Sequence, residues 1–193
     1  MNFETPYTQD QINKIGNTIV YLADKIQPLS KTKLLKLLYL LEETSIKKYG
    51  LPFLNIRFDV WQFGPVNRDI YVELTSETVL LSKFLTIKNS SIKPKTKFED
   101  DEFSDADLNL LDLIIESYSQ LNASELVKLT HRKHSPWYIT AKKHNVLDYF
   151  ENGLMTTTDI EIDFSEVLNE DQNKRNFYIE HKEYLSQSSA LKF

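Results

Sequence analysis

Three histidines stand close together in the segment THRKHSPWYITAKKHN: His131 and His134 at i, i+3, and His144 further on. Histidines one helical turn apart can share a metal ion. No third ligand stands at a fixed spacing, and Pro136 interrupts the helix that would align the first two. The chain has no HExxH motif and no cysteine. These histidines therefore read as surface or capping residues. Ser135 lies beside His134, but neighbours in sequence seldom face each other as a nucleophile and its base must, and no GxSxG elbow is present. The four glycines are not clustered, which excludes a phosphate loop or a dinucleotide fingerprint in recognisable form. Gly64, at the start of an expected helix, could hold one anion but reads first as a turn glycine. The acidic pairs Glu42-Glu43 and Asp100-Asp101 read as solvated. No catalytic residue, cofactor or metal is expected, and the chain does not read as an enzyme.

The aromatic residues offer a different chemistry. Trp61, Phe63, Tyr71, Trp137 and Tyr138 gather at two turn-rich places. Core burial is the first reading for each of them. The second is exposure as anchors for another protein, a role in which Trp and Tyr are enriched. A helix-turn-helix could be drawn over residues 105–120 and 123–131, with Arg132, Lys133, Lys142 and Lys143 nearby. The first of these helices is acidic, and the second offers only Lys128. A net charge of −5 also argues against broad binding to a phosphate backbone, so nucleic acid is not an expected partner.

The elements that must position these residues centre on Lys31 to Gly50. Seven Leu and Tyr residues between Leu34 and Leu41 cover most of a helical circumference. Lys33, Lys36, Glu43 and Lys47 leave a narrow polar stripe. A helix apolar nearly all round belongs inside a core. Ser30 suits its N-cap, Gly50 its C′ position, and Pro52 stops it. An earlier helix is expected after the capping box Thr8/Gln11, with Ile12, Ile15, Ile19, Leu22 and Ile26 at helical spacing. Gly16 weakens it by ~1 kcal/mol unless close packing needs a glycine there.

Residues 54–63 alternate and read as a strand or extended segment ending at Gly64-Pro65, where a new helix from Val66 begins. Residues 76–85 suggest a further short helix, and Leu85 to Ile87 a short strand. The charge-segregated run 86–105 reads as a solvated loop. Ser104/Asp107 and Asn122/Glu125 form two capping boxes, so helices over about 105–120 and 123–131 meet at a tight corner. Ser135-Pro136 breaks the chain or starts a short helix. Residues 159–164 alternate as a strand would, residues 165–168 suggest a helical turn, and residues 171–187 suggest a final helix with a frayed end.

The whole chain, 193 residues with 41% hydrophobic and 12% aromatic content, is long enough to bury a core without staples. The polar N-terminus carries no secretion signal, and the longest apolar run, Leu37 to Leu41, is far short of a membrane span. The expected setting is cytoplasmic, away from a membrane. The expected fold is mainly α with minor β: a compact multi-helix domain around a central buried helix, with a small strand or hairpin.

Three segments, in order, resemble the Panacea domain, the family of SocA-like and phage-associated GepA-like antitoxins. They are LLKLLYLLEETSIKKYG followed by PF, then FDVWQFGPVNRDIYVEL, then ELVKLTHRKHSPW. The resemblance implies a helical Panacea-like domain over residues 1–150, with residues 151–193 as a C-terminal extension packed on it. It implies an antitoxin that neutralises a cognate protein toxin by direct binding. Two alternatives are an adaptor that delivers the toxin to a ClpXP-type AAA+ protease and a DNA-binding regulator of its own operon. The family brings no catalytic residues. Within the motifs, Trp61, Phe63, Tyr71, His131 and Trp137 are candidates for touching the partner. Gly64, Pro65, Ser135 and Pro136 are expected to be structural. The segment from about Asn152 departs from the motif and is where partner choice is expected to be set.

Overall fold

The computed structural model describes residues 6–76 and 78–190. The polar start of the chain and the last residues of the expected frayed end, 191–193, lie outside the described residues. The chain divides into two compact units, each drawn from separate stretches: Met1–Leu38 with Asn67–Leu126, and Tyr39–Val66 with Val127–Phe193.

The first unit begins with α1 (Gln9–Lys25). The Thr8 hydroxyl accepts the Gln11 N–H at 3.2 Å, and the Gln11 carboxamide accepts the Thr8 N–H at 3.2 Å, which closes the expected capping box. Ile15, Ile19 and Leu22 form the buried face. Gly16 sits within that face because Phe84 lies directly on the helix backbone. A Cβ at Gly16 would fall 2.3 Å from the ring. α4 (Asp105–Tyr118), capped by its Ser104/Asp107 box, lies along α1, with Lys14 3.2 Å from Asp107 and the Tyr21 hydroxyl donating to Asp112.

A three-stranded antiparallel sheet, order β1-β3-β2, completes this unit: β1 (Leu29–Ser30), β2 (Leu85–Lys88) and β3 (Ser91–Pro94). Ile92 of β3 pairs with both Leu29 and Ile87. The connecting residues Asn89 and Ser90 both have positive φ, +50° and +60°. Two successive left-handed residues match the twist of a two-residue hairpin. The solvated-loop reading of 86–105 is thus overturned for its first half. Its second half is held by rings, with Phe98 4.9 Å from Tyr21 and 5.4 Å from Phe103.

Two further expectations are corrected in this unit. α3 (Arg68–Thr75) starts later than the Gly64-Pro65 corner, because Asn67 accepts the Ile70 N–H at 2.8 Å and is the cap. Residues 76–85 are not helical where they are described. The Glu73 carboxylate instead gathers the N–H groups of Val79, Leu80 and Leu81 at 3.0–3.1 Å, so the segment turns around a side chain. α2 (Lys31–Tyr49) gives its first half to this unit, with the Ser30 hydroxyl accepting the Lys33 N–H at 3.2 Å. Leu34, Leu37 and Leu38 are sealed from solvent. Much of the expected polar stripe does not face water: Lys47 is exposed, but Lys36 is buried, and burial pushes its amine down to about 7.

The second unit holds the rest of α2, where Tyr39, Leu40, Leu41 and Ile46 are buried and Gly50 takes the C′ position at φ +73°. Glu42 and Glu43 are both buried, against the expectation of a solvated pair. Glu42 accepts the N–H groups of Phe53, Leu54 (3.0 Å) and Ile56 (3.1 Å), which fixes the loop after α2. The segment 54–63 is extended, and Ile56, Phe58 and Val60 are buried as its alternation predicts. It forms no regular ladder. It runs antiparallel to 159–164 through a bridge at Asp59–Glu161 and bonds from Val60 N–H to Ile160 (2.9 Å) and from Ile162 N–H to Phe58 (2.8 Å). The remaining helices are the end of α5 (Ala123–Thr130), α6 (Pro136–Lys143), α7 (Leu147–Glu151) and α8 (Gln172–Ala190), with a 3₁₀ turn at Phe164–Leu168. The rings of Tyr39, Phe58 and Phe164 meet at 5.5–6.2 Å in the core of this unit. The molecule is mainly α with minor β.

Candidate functional site

Two turns from different stretches of the chain meet in the second unit. The first is the tight turn at 61–64, closed by Gly64 N–H to the Trp61 carbonyl at 3.0 Å, with Gly64 at φ +93°. The second is the corner between α5 and α6. There the Ser135 hydroxyl donates to the Thr130 carbonyl at 2.7 Å and accepts the Tyr138 N–H at 3.1 Å, with Pro136 at the first helical position. Gly64, Ser135 and Pro136 thus shape backbone. Pro65 is buried between Gly64 and Val66.

Side chains of the second turn hold the backbone of the first. The Trp137 indole donates to the Trp61 carbonyl at 3.0 Å. His131 Nε2 lies 3.0 Å from the Gln62 carbonyl, and its Nδ1 lies 2.6 Å from the Val127 carbonyl. Both of these carbonyls are acceptors. The His131 and Trp137 ring centroids sit 3.9 Å apart, and Phe150 stacks on Trp137 at 6.2 Å. The Gln62 side chain donates to the Phe150 carbonyl at 2.7 Å, and the Gln62 N–H donates to the Thr156 carbonyl at 2.9 Å.

A second layer supports these contacts from α2. The Tyr39 hydroxyl accepts the Trp137 N–H at 3.3 Å. Burial and the neighbouring Glu43 carboxylate hold the Tyr39 phenol well above its usual range. Glu43 pairs with Arg132, and burial raises its carboxyl against the lowering effect of that guanidinium. Arg132, one of the basic residues counted beside the drawn helix-turn-helix, is therefore engaged inside its own unit.

The result is an open groove of about 310 Å³ lined by Gln62, His131, Trp137, Tyr138, Leu147, Phe150 and Glu151. Phe63, next to Gln62 in the first turn, is 69% exposed. Tyr149 and Leu154 are exposed on the segment that Gln62 ties down. Of the five candidate partner residues, His131 and Trp137 line the groove, while Trp61 and Phe63 stand in the turn whose backbone these two side chains hold. Trp61 and His131 are half-buried, and Trp137 is buried. Tyr71 belongs to the first unit, on α3, where its ring is partly exposed. Phe150, Tyr149 and Leu154 were not singled out from the sequence. They carry no local motif: Phe150 lines the groove through its ring on Trp137 and its carbonyl on the Gln62 side chain, and Tyr149 and Leu154 are its exposed neighbours along the chain. Among the described residues, no group of three or more His, Asp or Glu side chains is placed to hold a metal ion. Nor is any described helix long and apolar enough to cross a membrane.

Residues 34–138, more than half of the chain, match the family described as "Antitoxin SocA-like, Panacea domain". The chain belongs to that family. No curated protein and no solved structure matches it.

Proposed function

We propose that the protein is an antitoxin that holds a cognate toxin in a stoichiometric complex in the cytoplasm, with the groove at 61–64 and 131–138 as its contact face. The family match over 34–138 carries this reading. Its stretch includes both turns that build the groove. The exposed Phe63, Tyr149 and Leu154 supply the apolar contact area that the buried Trp137 cannot. Residues 151–193 contribute Leu154 and the Thr156 carbonyl, which gives the C-terminal stretch a part in partner choice.

The test is co-expression with the product of the neighbouring reading frame. The wild-type chain is expected to restore growth and to co-purify with that product. Phe63→Ala, a change at an exposed side chain, is expected to keep the thermal midpoint and to weaken the complex at least tenfold. A complex of unchanged affinity with Phe63→Ala and Leu154→Ala together would place the contact elsewhere.

A further inference from the structure

The β2–β3 hairpin belongs to the first unit, and none of its residues lines the groove. β2 is the outer strand of its sheet, paired on one side with β3. The register shows which of its backbone groups face away. The Lys95 N–H donates to the Phe84 carbonyl at 2.8 Å, so Lys95 turns its polar groups toward β2. Alternation along β3 turns Lys93 and Ser91 the same way, and their partners Thr86 and Lys88 turn inward to meet them. Leu85 and Ile87 therefore point their N–H and C=O groups to the other side. The Leu85 N–H is bonded to the Leu81 carbonyl at 3.1 Å. The Leu85 carbonyl and both groups of Ile87 meet no hydrogen-bond partner among the described residues. An edge of this kind is a template for one more strand.

Charge decides which strand. Between Val79 and Phe98 stand Lys83, Lys88, Lys93, Lys95 and Lys97, with no Asp or Glu among them, in a chain whose net charge is −5. Lys93 is half-buried and the others are exposed. Lys95 donates to the Ser82 carbonyl at 2.5 Å, and Lys83 lies over the Phe84 ring at 5.2 Å. None of the five forms an ion pair with a carboxylate among the described residues. Lys88 and Lys93 share one face of the hairpin, because Lys93 stands opposite Thr86, two residues from Lys88 on β2. Lysines beside an edge act against pairing with a second copy, which would bring its own lysines to the ladder. The same charges favour a strand that carries carboxylates.

We infer that the open edge of β2 receives an extended acidic segment of a partner protein as one further strand. Its backbone bonds to the Ile87 N–H and C=O and to the Leu85 carbonyl, and its Asp or Glu side chains lie beside Lys88 and Lys93. The inference goes beyond the antitoxin reading and does not depend on it. The backbone edge selects a polypeptide, since a nucleic acid would meet the lysines and leave the Ile87 groups unpaired. The lysines select an acidic sequence over a neutral or basic one.

The probe is a blocked peptide of alternating Glu and Val, titrated into the full chain at low salt and followed by amide NMR. Saturable shifts are expected over Leu85–Lys88, largest at Ile87, whose N–H gains an acceptor. The same peptide with Lys in place of Glu is expected not to bind. Two further versions carry N-methyl groups on the Glu residues or on the Val residues. Each keeps every charge, and the one whose methyl groups face β2 should bind at least fivefold more weakly. Lys88→Glu made together with Lys93→Glu should weaken the Glu-Val peptide about tenfold and admit the Lys-Val peptide, a gain that an unfolded chain would not show. Absence of saturable shifts, equal binding of all three acidic peptides, or unchanged affinities in the charge-reversed variant would each overturn the inference. Tighter binding of a single-stranded DNA oligonucleotide at the same residues would assign the lysines to nucleic acid and overturn it too. No toxin enters this experiment, so growth rescue scores the antitoxin reading separately.

Discussion

Replacing Gly16 by alanine puts two effects of known size in opposition. In an ordinary helix interior, alanine is favoured over glycine by about 1 kcal/mol, so the sequence alone predicts a gain. In the structure, the new Cβ would lie 2.3, 2.4 and 2.6 Å from three carbons of the Phe84 ring. Carbon atoms pack at about 3.5–4.0 Å, so the ring would have to retreat by more than about 1 Å. Phe84 is 2% exposed and anchors the start of the β2–β3 hairpin, where its carbonyl accepts the Lys95 N–H at 2.8 Å. Overpacking of this kind costs about 1–3 kcal/mol, and expelling the ring altogether costs about 3–5 kcal/mol. The net expectation is a loss of ~1–3 kcal/mol, or several degrees in thermal midpoint for a chain of this length. Urea unfolding followed by circular dichroism measures it. Phe84→Leu made alone should also destabilise. In the double variant the two costs should fall short of additive by ~1 kcal/mol, because the smaller side chain makes room for the methyl group. A Gly16→Ala protein as stable as the parent or more so would show that Phe84 does not lie on the helix as described.

Glu42→Ala leaves three buried backbone N–H groups without their acceptor and should cost ~3 kcal/mol or more in urea unfolding at pH 7; a loss below ~1 kcal/mol would mean the carboxylate does not organise residues 53–56. Burial pushes the Glu42 carboxyl up from 4.5 to about 7, so between those pH values the folded chain keeps a proton that the unfolded chain has released. Stability should then fall as pH rises through that window, by up to ~3 kcal/mol, and the difference between the wild-type and Glu42→Gln profiles isolates this share. Leu38→Asp places a carboxylate at a fully sealed position of α2 and should unfold the chain, since an unpaired buried charge costs as much as the ordinary stability margin. A folded, cooperative Leu38→Asp variant would mean α2 is misplaced.

The helices were legible wherever a cap and a period coincide. Thr8/Gln11, Ser104/Asp107 and Asn122/Glu125 all form as reciprocal boxes, and the leucines of α2 are sealed as their density around the helix requires. The α5–α6 corner was legible too, because Ser-Pro fixes both the cap and the first turn. The hairpin at 85–94 was half legible: the short strand expected at Leu85 to Ile87 forms, but its partner strand at 91–94 falls in the run that reads as a loop. Its strands carry four residues each and bury few side chains, β3 holds a single fully buried residue, Ile92, and the turn uses Asn-Ser where Asn-Gly is the stronger signal. The candidate groove was half legible. Both of its turns stood out as motifs, but Phe150 comes to it from α7 by packing on Trp137 and by a carbonyl that accepts from Gln62, tertiary contacts that leave no mark in local spacing.

The charged residues misled most, and they did so for one physical reason. Glu42 in α2 and Glu73 in α3 each lie on a helix that runs into an irregular segment, and each gathers that segment's N–H groups on a buried carboxylate. Loops without a strand partner must still satisfy their backbone donors, and a helix-borne carboxylate can accept several at once. A helical wheel assigns such a residue to the polar face and stops there. In this chain the polar positions of the central helix instead point inward: Glu42 to the loop at 53–56, and Glu43 to Arg132 behind the Trp137 turn. The helix therefore sets the backbone on which the candidate site is built through its glutamates and Tyr39 as much as through its leucines. Substitutions at these polar positions should reach partner binding by moving a loop, whereas substitutions at Phe63 should reach it directly.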